Sequence, residues 1–331
     1  MIITKTPFRI SFFGGGTDYP TWYREHGGAV LATTIDKYCY ISCRSLPPFF
    51  EHKHRIVYST VENVRHHSEI KHPAVREVFK WKGVTEGLEI HHDGDLPARS
   101  GLGSSSSFAV GLLNALAAFE GRMCSKTQLA EEAIHLEQNI LGEHVGSQDQ
   151  VSAAFGGLNQ ISFHTDDSFS VQPVTLRSER ARLLESHLML FFTGISRIAS
   201  TIAKSKIENL HSRVAELHRM REMVDEGCAI LTDANAPISR FGELLHEAWH
   251  YKQSLSEKVA SPAVKSLYDT AISAGGTGGK LLGAGGGGFM LIFAPPERHA
   301  RIREALEGLV YVPVRFEKDG SQVAFYKPDG L

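Results

Sequence analysis

At 331 residues the chain is long enough for two domains, each with its own core. With 42% hydrophobic residues, 22% charged residues and a formal net charge of −2, it has the composition of an ordinary globular protein and gives no electrostatic case for binding nucleic acid or an anionic membrane. No apolar run approaches the roughly 18 residues of a membrane span, and the four cysteines form no CxxC pair, so we expect a cytoplasmic protein with free thiols.

Alternating apolar residues predict a first strand over Ile2–Phe13. The segment GGGTDYP (14–20) follows, and its glycines expose the backbone next to the carboxylate of Asp18. A turn capped by Asp18 and a polar clamp for a hydroxylated ligand are both open from these residues alone. The next predicted elements are one or two strands over 29–46, a strand over 55–64, a helix over 73–81 and a strand over 88–93.

A glycine–serine stretch, GDLPARSGLGSSSSFA (94–109), joins that strand to a helix that ends near Gly121. Gly101 and Gly103 permit positive φ and close backbone approach, and the serines at 104–107 place hydroxyls where the helix begins. The positive end of a helix dipole with free amides is suited to bind phosphate. The stretch is neither a Walker A nor a GxGxxG sequence, and a serine-capped helix without a ligand is the alternative interpretation.

A capping-box pattern at Ser125 and Gln128 predicts a second helix, with Glu137 on the flank of its apolar stripe. A carboxylate on this flank lies either at the solvent boundary or in a polar site beside the core. Asp149 follows within a glycine-bounded segment. The polar stretch 177–185 is our preferred domain boundary, and the order of elements predicts an α+β protein with domains at 1–183 and 184–331. The remaining predicted elements are a hairpin over 161–176, a strand over 187–193, helices over 198–224, 238–255 and 262–274, a strand over 289–293, a helix over 297–309 and two closing strands.

A second glycine-rich stretch, GGTGGKLLGAGGGGF (275–289), leads into an apolar strand. So many glycines raise the entropic cost of folding, which indicates that bare backbone is required there. A flexible turn or a tight helix–sheet contact is the alternative, but two glycine-rich stretches, each next to a strand, favour a shared phosphate or nucleotide cleft. The sequence HEAWH at 246–250 matches the HExxH zinc signature but lacks the continuation that supplies a third ligand. We interpret it as part of an amphipathic helix.

Together these motifs resemble those of the GHMP small-molecule kinases. The motifs TPFRISFFGGGTDYP, LPARSGLGSSSSFAV and GGKLLGAGGGGF occur in the family's order along nearly the whole chain. The middle one departs mildly from the family's PxxxGLGSSAA, because Ser106 and Ser107 replace small alanines. The resemblance implies a two-domain GHMP kinase fold, with an N-terminal domain of sheet and helices, a ferredoxin-like C-terminal domain and an active site in the cleft between them.

The resemblance also implies residue roles. Ser105 and Glu137 would hold Mg²⁺ against the phosphates of ATP. Asp149 would be the catalytic aspartate, acting as a base or as an orienting group, and Arg9 would stabilise it and the transferred phosphoryl group. The residues expected to bind the ATP phosphates are Gly101, Leu102, Gly103, Ser104, Ser105, Ser106 and Ser107. Those expected to contact the substrate are Gly15, Gly16, Thr17, Asp18, Tyr19, Arg197, Gly285 and Gly286, with Arg99 and Lys204 as further candidates for a substrate phosphate.

Within the family, the GGGTDYP segment and the chain length are most similar to bacterial heptose kinases. This implies ATP-dependent phosphorylation of the anomeric hydroxyl of D-glycero-α-D-manno-heptose 7-phosphate to the 1,7-bisphosphate, for nucleotide-activated heptose in lipopolysaccharide or capsule biosynthesis. The galactokinase form GEHTDYN is missing. L-fucose or sedoheptulose 7-phosphate as substrate, and a non-catalytic sensor of sugar and ATP, are the alternatives. The oligomeric state is open, with a homodimer as one option.

Overall fold

The computed structural model describes residues 1–98, 100–195, 207 and 209–328. Arg99, Arg197 and Lys204, which the sequence nominates as phosphate-binding cations, lie outside the described residues. In the described part of the chain, no helix is both long enough and apolar enough to cross a membrane.

A large sheet, with nine strands among the described residues, contains seven strands from residues 2–173 and two from residues 316–326. Its strands are β1 (Ile2–Phe13), β2 (Gly28–Ser45), β3 (His54–Val57), β4 (Val61–Val64), β5 (Leu88–Gly94), β6 (Leu158–Phe163), β7 (Phe169–Pro173), β12 (Phe316–Glu317) and β13 (Gln322–Tyr326). The order along the sheet is β13-β1-β2-β5-β3-β4, while β6 and β12 also pair with β2, and β7 pairs with β6. Every pairing is antiparallel except β3 with β5.

The second sheet contains β8 (Leu188–Phe192), β9 (Gly278–Leu281), β10 (Phe289–Phe293) and β11 (Val310–Val312). Its order is β11-β8-β10-β9, and all its pairings are antiparallel. In chain order this is a 4-1-3-2 arrangement with helices in the first and last connections, which is the ferredoxin-like topology. The predicted two-domain α+β architecture is therefore confirmed.

The helices cover the sheets. They are α1 (Pro20–His26), α2 (Pro73–Trp81), α3 (Ser104–Phe119), α4 (Lys126–Ile134), α5 (Gln148–Phe155), α6 (Ser178–Ser186), α7 (Val214–Thr232), α8 (Ser239–Ser254), α9 (Pro262–Ser273) and α10 (His299–Ala305), with a π-helix over His135–Ile140. The central helix α3 packs across β1 and β2 and is buried on nearly all sides. Its Gly111 permits this approach, because a Cβ there would lie 2.9 Å from the Thr6 hydroxyl.

An aromatic cluster joins the two halves. Phe241 of α8 packs edge-on against Phe12 and Phe13 at the end of β1, with ring centroids 5.3 and 5.0 Å apart. The same ring lies 5.9 Å from Phe293 of β10. Since these rings are fully buried in one hydrophobic core, the end of β1 is held against the second sheet.

Several local predictions differ from the structure. The predicted strand over 55–64 is a hairpin of β3 and β4, and the polar stretch taken as a boundary forms α6. The short helices α1 and α5 were not predicted, and the predicted helix after Ser125 continues as a π-helix from residue 135. The division at 183/184 stays a prediction. Strands β12 and β13 nevertheless pair with β2 and β1, so residues 316–326 lie with the N-terminal sheet and not with the rest of the C-terminal half.

Candidate active site

A cavity of about 640 Å³ opens where the end of β1, the start of α3 and the second glycine-rich stretch converge. The first turn of α3 lines it with Ser104, Ser105 and Ser106. Gly283 and Ala284 line it from the second glycine-rich stretch. The two stretches that the sequence assigns to one cleft therefore do face the same space.

The two glycine-rich stretches touch through their backbones. A Cβ on Gly101, whose φ is +85°, would lie 2.6 Å from the carbonyl oxygen of Leu282, and a Cβ on Gly283 would lie 2.5 Å from the Cα of Gly101. The backbone N–H of Phe289 donates to the carbonyl of Ser100 at 3.1 Å. Bare backbone is required at this contact, which is the physical reason for glycine at both positions.

Arg9 and Asp149 form a bidentate ion pair at the cavity wall. The Nε and Nη2 of Arg9 donate to the two carboxylate oxygens at 2.7 and 2.8 Å, and Nη1 donates to the carbonyl of Gly101 at 2.7 Å. The Arg9 side chain is 4% exposed and that of Asp149 is 24% exposed. Asp149 therefore presents its carboxylate to the cavity while the guanidinium supports it from behind.

Gly103 leaves room for this pair. It is the N-cap residue directly before α3 and has a left-handed conformation, with φ +76°. A Cβ there would lie 3.3 Å from Cγ of Arg9 and 3.4 Å from Cγ of Asp149, closer than neighbours normally allow. A side chain at this position would push against both partners of the ion pair.

Glu137 is buried behind Ser105. Its carboxylate accepts hydrogen bonds from the hydroxyls of Ser105 and Ser106 and from Nε2 of Gln150, the last two at 2.7 and 2.5 Å. Burial raises the pKa of Glu137 to about 7, although these three donors oppose the shift. Glu137 lies in the π-helix turn and enters a polar cluster beside the core, which is one of the two positions that the flank of the apolar stripe allowed.

Ser105 and Glu137 have the chemistry of a magnesium site. Hydroxyl and carboxylate oxygens are ligands that Mg²⁺ prefers, and a cation beside a buried carboxylate offsets the cost of its burial. Within the described residues, no three His, Cys, Asp or Glu side chains come together as a metal site. Ser105 and Glu137 would hold a magnesium ion here, and the ion would supply positive charge against the phosphates of ATP.

Asp18 also lines the cavity, and two hydrogen bonds fix its carboxylate. Its Oδ1 accepts from the backbone N–H of Gly16 at 2.8 Å, and its Oδ2 accepts from Nε2 of Gln148 at 2.9 Å. Gly15, Gly16 and Tyr19 also line the cavity. Burial, aided by the charge of Asp18, raises the pKa of the Tyr19 phenol, so this group is neutral.

Five predicted contact residues are not among the described residues that line the cavity; they are Thr17, Leu102, Ser107, Gly285 and Gly286. The hydroxyls of Thr17 and Ser107 bond instead to backbone carbonyls, those of Gly14 and Ala29 for Thr17 and that of Pro7 for Ser107. The side chain of Leu102 is fully buried in the core. Gly285 and Gly286 approach the backbone of Val259, to which the Gly286 N–H donates at 2.8 Å.

The described cavity residues that the sequence did not nominate include Ser11, Gln148, Lys252 and Lys280. Gln148 adjoins Asp149 and Lys280 lies inside the second glycine motif, so both had a local signal, whereas Lys252 sits in an ordinary helical pattern. Nζ of Lys252 donates to the carbonyls of Leu281 and Gly283 at 2.6 Å each, and Nζ of Lys280 donates to the carbonyl of Phe12 at 2.8 Å. These lysines add positive charge to the cavity wall.

The HExxH residues lie on α8, and their side chains contact neighbouring side chains of α7, α8 and α9. Nδ1 of His246 lies 2.6 Å from the Tyr268 hydroxyl, and Nε2 of His250 lies 3.1 Å from Nε2 of His246. Glu247 is paired with Arg219 at 3.0 Å. The carboxylate is thus committed to an ion pair, which agrees with the helical interpretation of this segment.

Comparison with known proteins identifies the family. The family model described as "GHMP kinases N terminal domain" matches residues 56–157, and "GHMP kinases C terminal" matches residues 234–311, together more than half of the chain. The chain belongs to the GHMP kinase family. It is therefore a kinase, a phosphotransferase of that family.

Relatives of this kinase bear names of sugar kinases. A D-glycero-alpha-D-manno-heptose 7-phosphate kinase of Campylobacter jejuni is 29% identical over 328 residues, covering 92% of this chain and 93% of the relative. A bifunctional fucokinase/GDP-fucose pyrophosphorylase of Arabidopsis thaliana is 27% identical over 335 residues, covering 92% of this chain but 31% of that longer protein. The solved structure of a D-glycero-D-manno-heptose 1-phosphate kinase from Bacteroides thetaiotaomicron superposes with a TM-score of 0.79 at 23% identity, covering 97% of this chain and 98% of its own.

Proposed function

We propose that this GHMP kinase transfers the γ-phosphoryl group of ATP to the anomeric hydroxyl of D-glycero-α-D-manno-heptose 7-phosphate and forms the 1,7-bisphosphate. The observation that carries the proposal is the Arg9–Asp149 pair, which adjoins the serine-lined start of α3 in one cavity. The choice of sugar is supported by the similarity to the Campylobacter jejuni enzyme. A cytoplasmic location and a role in nucleotide-activated heptose and surface glycan synthesis are part of the same proposal.

Phosphoryl transfer requires positioning and charge neutralisation more than covalent help from the protein. In this mechanism the Asp149 carboxylate accepts a hydrogen bond from the attacking hydroxyl and takes its proton. The new O–P bond forms as the bond from the γ-phosphorus to the bridging oxygen breaks, and ADP leaves with that oxygen. Arg9 keeps both carboxylate oxygens in place, so that the hydroxyl meets a fixed acceptor.

The start of α3 is the proposed cradle for the ATP phosphates. Its dipole and the amides of its first turn favour negative charge, and Ser104–Ser106 line the cavity there. Kinases of this family use ATP, and a magnesium ion held by Ser105 and Glu137 would neutralise charge on its phosphates. Lys252 and Lys280 also line the cavity and add two cations to it.

A 7-phosphate on the sugar requires a cation of its own. Arg197 remains our candidate from the sequence, with Arg99 and Lys204 as further possibilities; all three lie outside the described residues. Arg197→Ala is expected to raise KM for the heptose 7-phosphate far more than KM for an unphosphorylated sugar. Equal effects on both would remove Arg197 from this role.

The function is tested with a panel of sugars and sugar phosphates in the presence of ATP and Mg²⁺. ADP release measures turnover, and ³¹P NMR of the product locates the new phosphate. The proposal predicts turnover of the heptose 7-phosphate with a phosphate at the anomeric carbon, and loss of turnover in Asp149→Ala but not in the exposed control Asp166→Asn. Turnover of L-fucose alone would favour the fucokinase-like alternative, to which the Arabidopsis relative points.

A further inference from the structure

Two polar atoms at the cavity are buried without a hydrogen-bond partner among the described residues. They are Oγ of Ser11 and Oε1 of Gln148. Ser11 is 5% exposed, and both residues line the cavity. A buried polar group left unpaired is destabilising, and a ligand that enters the cavity would relieve this cost by supplying the partner.

The side chains of Ser11 and Gln148 both lie close to Gly15, and both residues lie near a member of the Arg9–Asp149 pair along the chain. A Cβ built on Gly15 would lie 3.8 Å from Oγ of Ser11 and 3.7 Å from Nε2 of Gln148. Ser11 follows Arg9 by two residues on β1, so both point to the same face of the strand. Gln148 directly precedes Asp149 at the start of α5.

The orientation of the Gln148 amide is set by Asp18. A carboxylate only accepts hydrogen bonds, so the 2.9 Å contact with Oδ2 of Asp18 must involve the amide nitrogen of Gln148. Oε1 of Gln148 is therefore an acceptor in a fixed position. Oδ1 of Asp18 is held in turn by the backbone N–H of Gly16, which makes the arrangement rigid.

The amide oxygen of Gln148 can bond only to a ligand group that carries a hydrogen to donate. An amide oxygen repels the oxygens of a phosphate, which carry no hydrogen to donate, whereas a sugar hydroxyl donates to an amide oxygen and can exchange a hydrogen bond with a serine hydroxyl. We propose that Ser11 and Gln148 form a subsite for neutral hydroxyls of the sugar, close to the hydroxyl that is phosphorylated. This inference rests on the proposed function only in its choice of a sugar as ligand.

The subsite makes an unusual prediction for Ser11→Ala. Because Oγ of Ser11 has no partner within the described protein, its removal is expected to leave the melting temperature unchanged or higher. Loss of one hydrogen bond to the sugar is expected to raise KM for the heptose 7-phosphate about tenfold, with KM for ATP unchanged. A structural role would instead lower the melting temperature.

Ser152→Ala is the matched control. Ser152 lies on α5, is 3% exposed, and its Oγ is also buried without a partner in the described part of the chain. It is not among the described cavity-lining residues, so its variant is expected to keep KM for both substrates. Gly15→Ala is a second probe, since its methyl would meet Ser11 and Gln148 at ordinary contact distances and fill the subsite without a clash.

The assay is steady-state ADP release at saturating ATP, with heptose 7-phosphate and L-fucose as probes. A sugar KM that rises in Ser11→Ala and Gly15→Ala but not in Ser152→Ala supports the subsite. An unchanged sugar KM in Ser11→Ala overturns it, whatever the melting temperature does. Turnover of L-fucose but not the heptose 7-phosphate would overturn only the proposed substrate, and the same variants compared on L-fucose would still decide the subsite. Turnover of neither sugar would overturn both.

Discussion

The ion pair between Arg9 and Asp149 makes a quantitative prediction for Asp149→Asn. An asparagine offers one acceptor oxygen, so only one of the two Arg9 bonds, at 2.7 and 2.8 Å, survives. The amide nitrogen of the asparagine then lies opposite a guanidinium N–H, and two donors cannot form a hydrogen bond with each other. A hydrogen bond to a charged group contributes about 1.5–3 kcal/mol net. Since the Asp149 side chain is 24% exposed, we expect a loss of about 2 kcal/mol in the free energy of unfolding.

The same substitution removes the carboxylate that we propose to orient the attacking hydroxyl and take its proton. We expect kcat to fall by about 10²–10⁴-fold, the usual contribution of a positioned acid or base. Urea unfolding at pH 7 measures the stability, and ADP release measures kcat.

Asp167→Asn is the control. Asp167 also accepts from an arginine, Arg24, at 2.7 Å, but both side chains are more than half exposed. A solvated pair of this kind contributes little, so this variant is expected to lose less than about 0.5 kcal/mol and to keep its kcat. Equal losses of stability in the two variants would refute the argument from burial, and a kcat within threefold of wild type in Asp149→Asn would refute the catalytic role.

Three further predictions concern close contacts and one buried histidine. Gly101→Ala would place a methyl 2.6 Å from the Leu282 carbonyl at a positive φ, and urea unfolding is expected to show a loss of about 2–3 kcal/mol. Gly146→Ala would place a methyl 1.9 Å from Oδ2 of Asp18, and steady-state kinetics are expected to show kcat/KM for the sugar about 100-fold lower with KM for ATP unchanged. Burial lowers the pKa of His54 from 6.5 to about 4, so the neutral form is favoured in the folded state and stability present above pH 6.5 is lost as the pH falls toward 4. That loss amounts to about 3 kcal/mol. The unfolding free energy of His54→Asn, measured from pH 7 to 4, is expected to depend less on pH, because asparagine does not titrate. Asparagine also keeps an acceptor for the backbone N–H of Leu88, which bonds to Nδ1 of His54.

Local chemistry in the sequence determined most of the secondary structure. The helix Pro73–Trp81 and the strand Phe289–Phe293 have the predicted bounds, because proline at a helix start and a compact apolar run are signals carried by neighbouring residues. The positive φ of Gly101 and Gly103 was also expected from their residue type. The three motifs and their order were enough to indicate the family.

Only the tertiary structure decided how these pieces form a site. The Arg9–Asp149 pair joins residues 140 positions apart, and β13 pairs with β1 across nearly the whole chain; no local pattern encodes such partners. The period of the helix left Glu137 either at the solvent boundary or in a polar site beside the core, and only the fold shows that it meets Ser105. Ser11 and Gln148 carried no visible signal of a shared role. Their unpaired atoms have meaning only when burial and the surrounding cavity are known, because the cost of an unmade hydrogen bond depends on whether water can reach it.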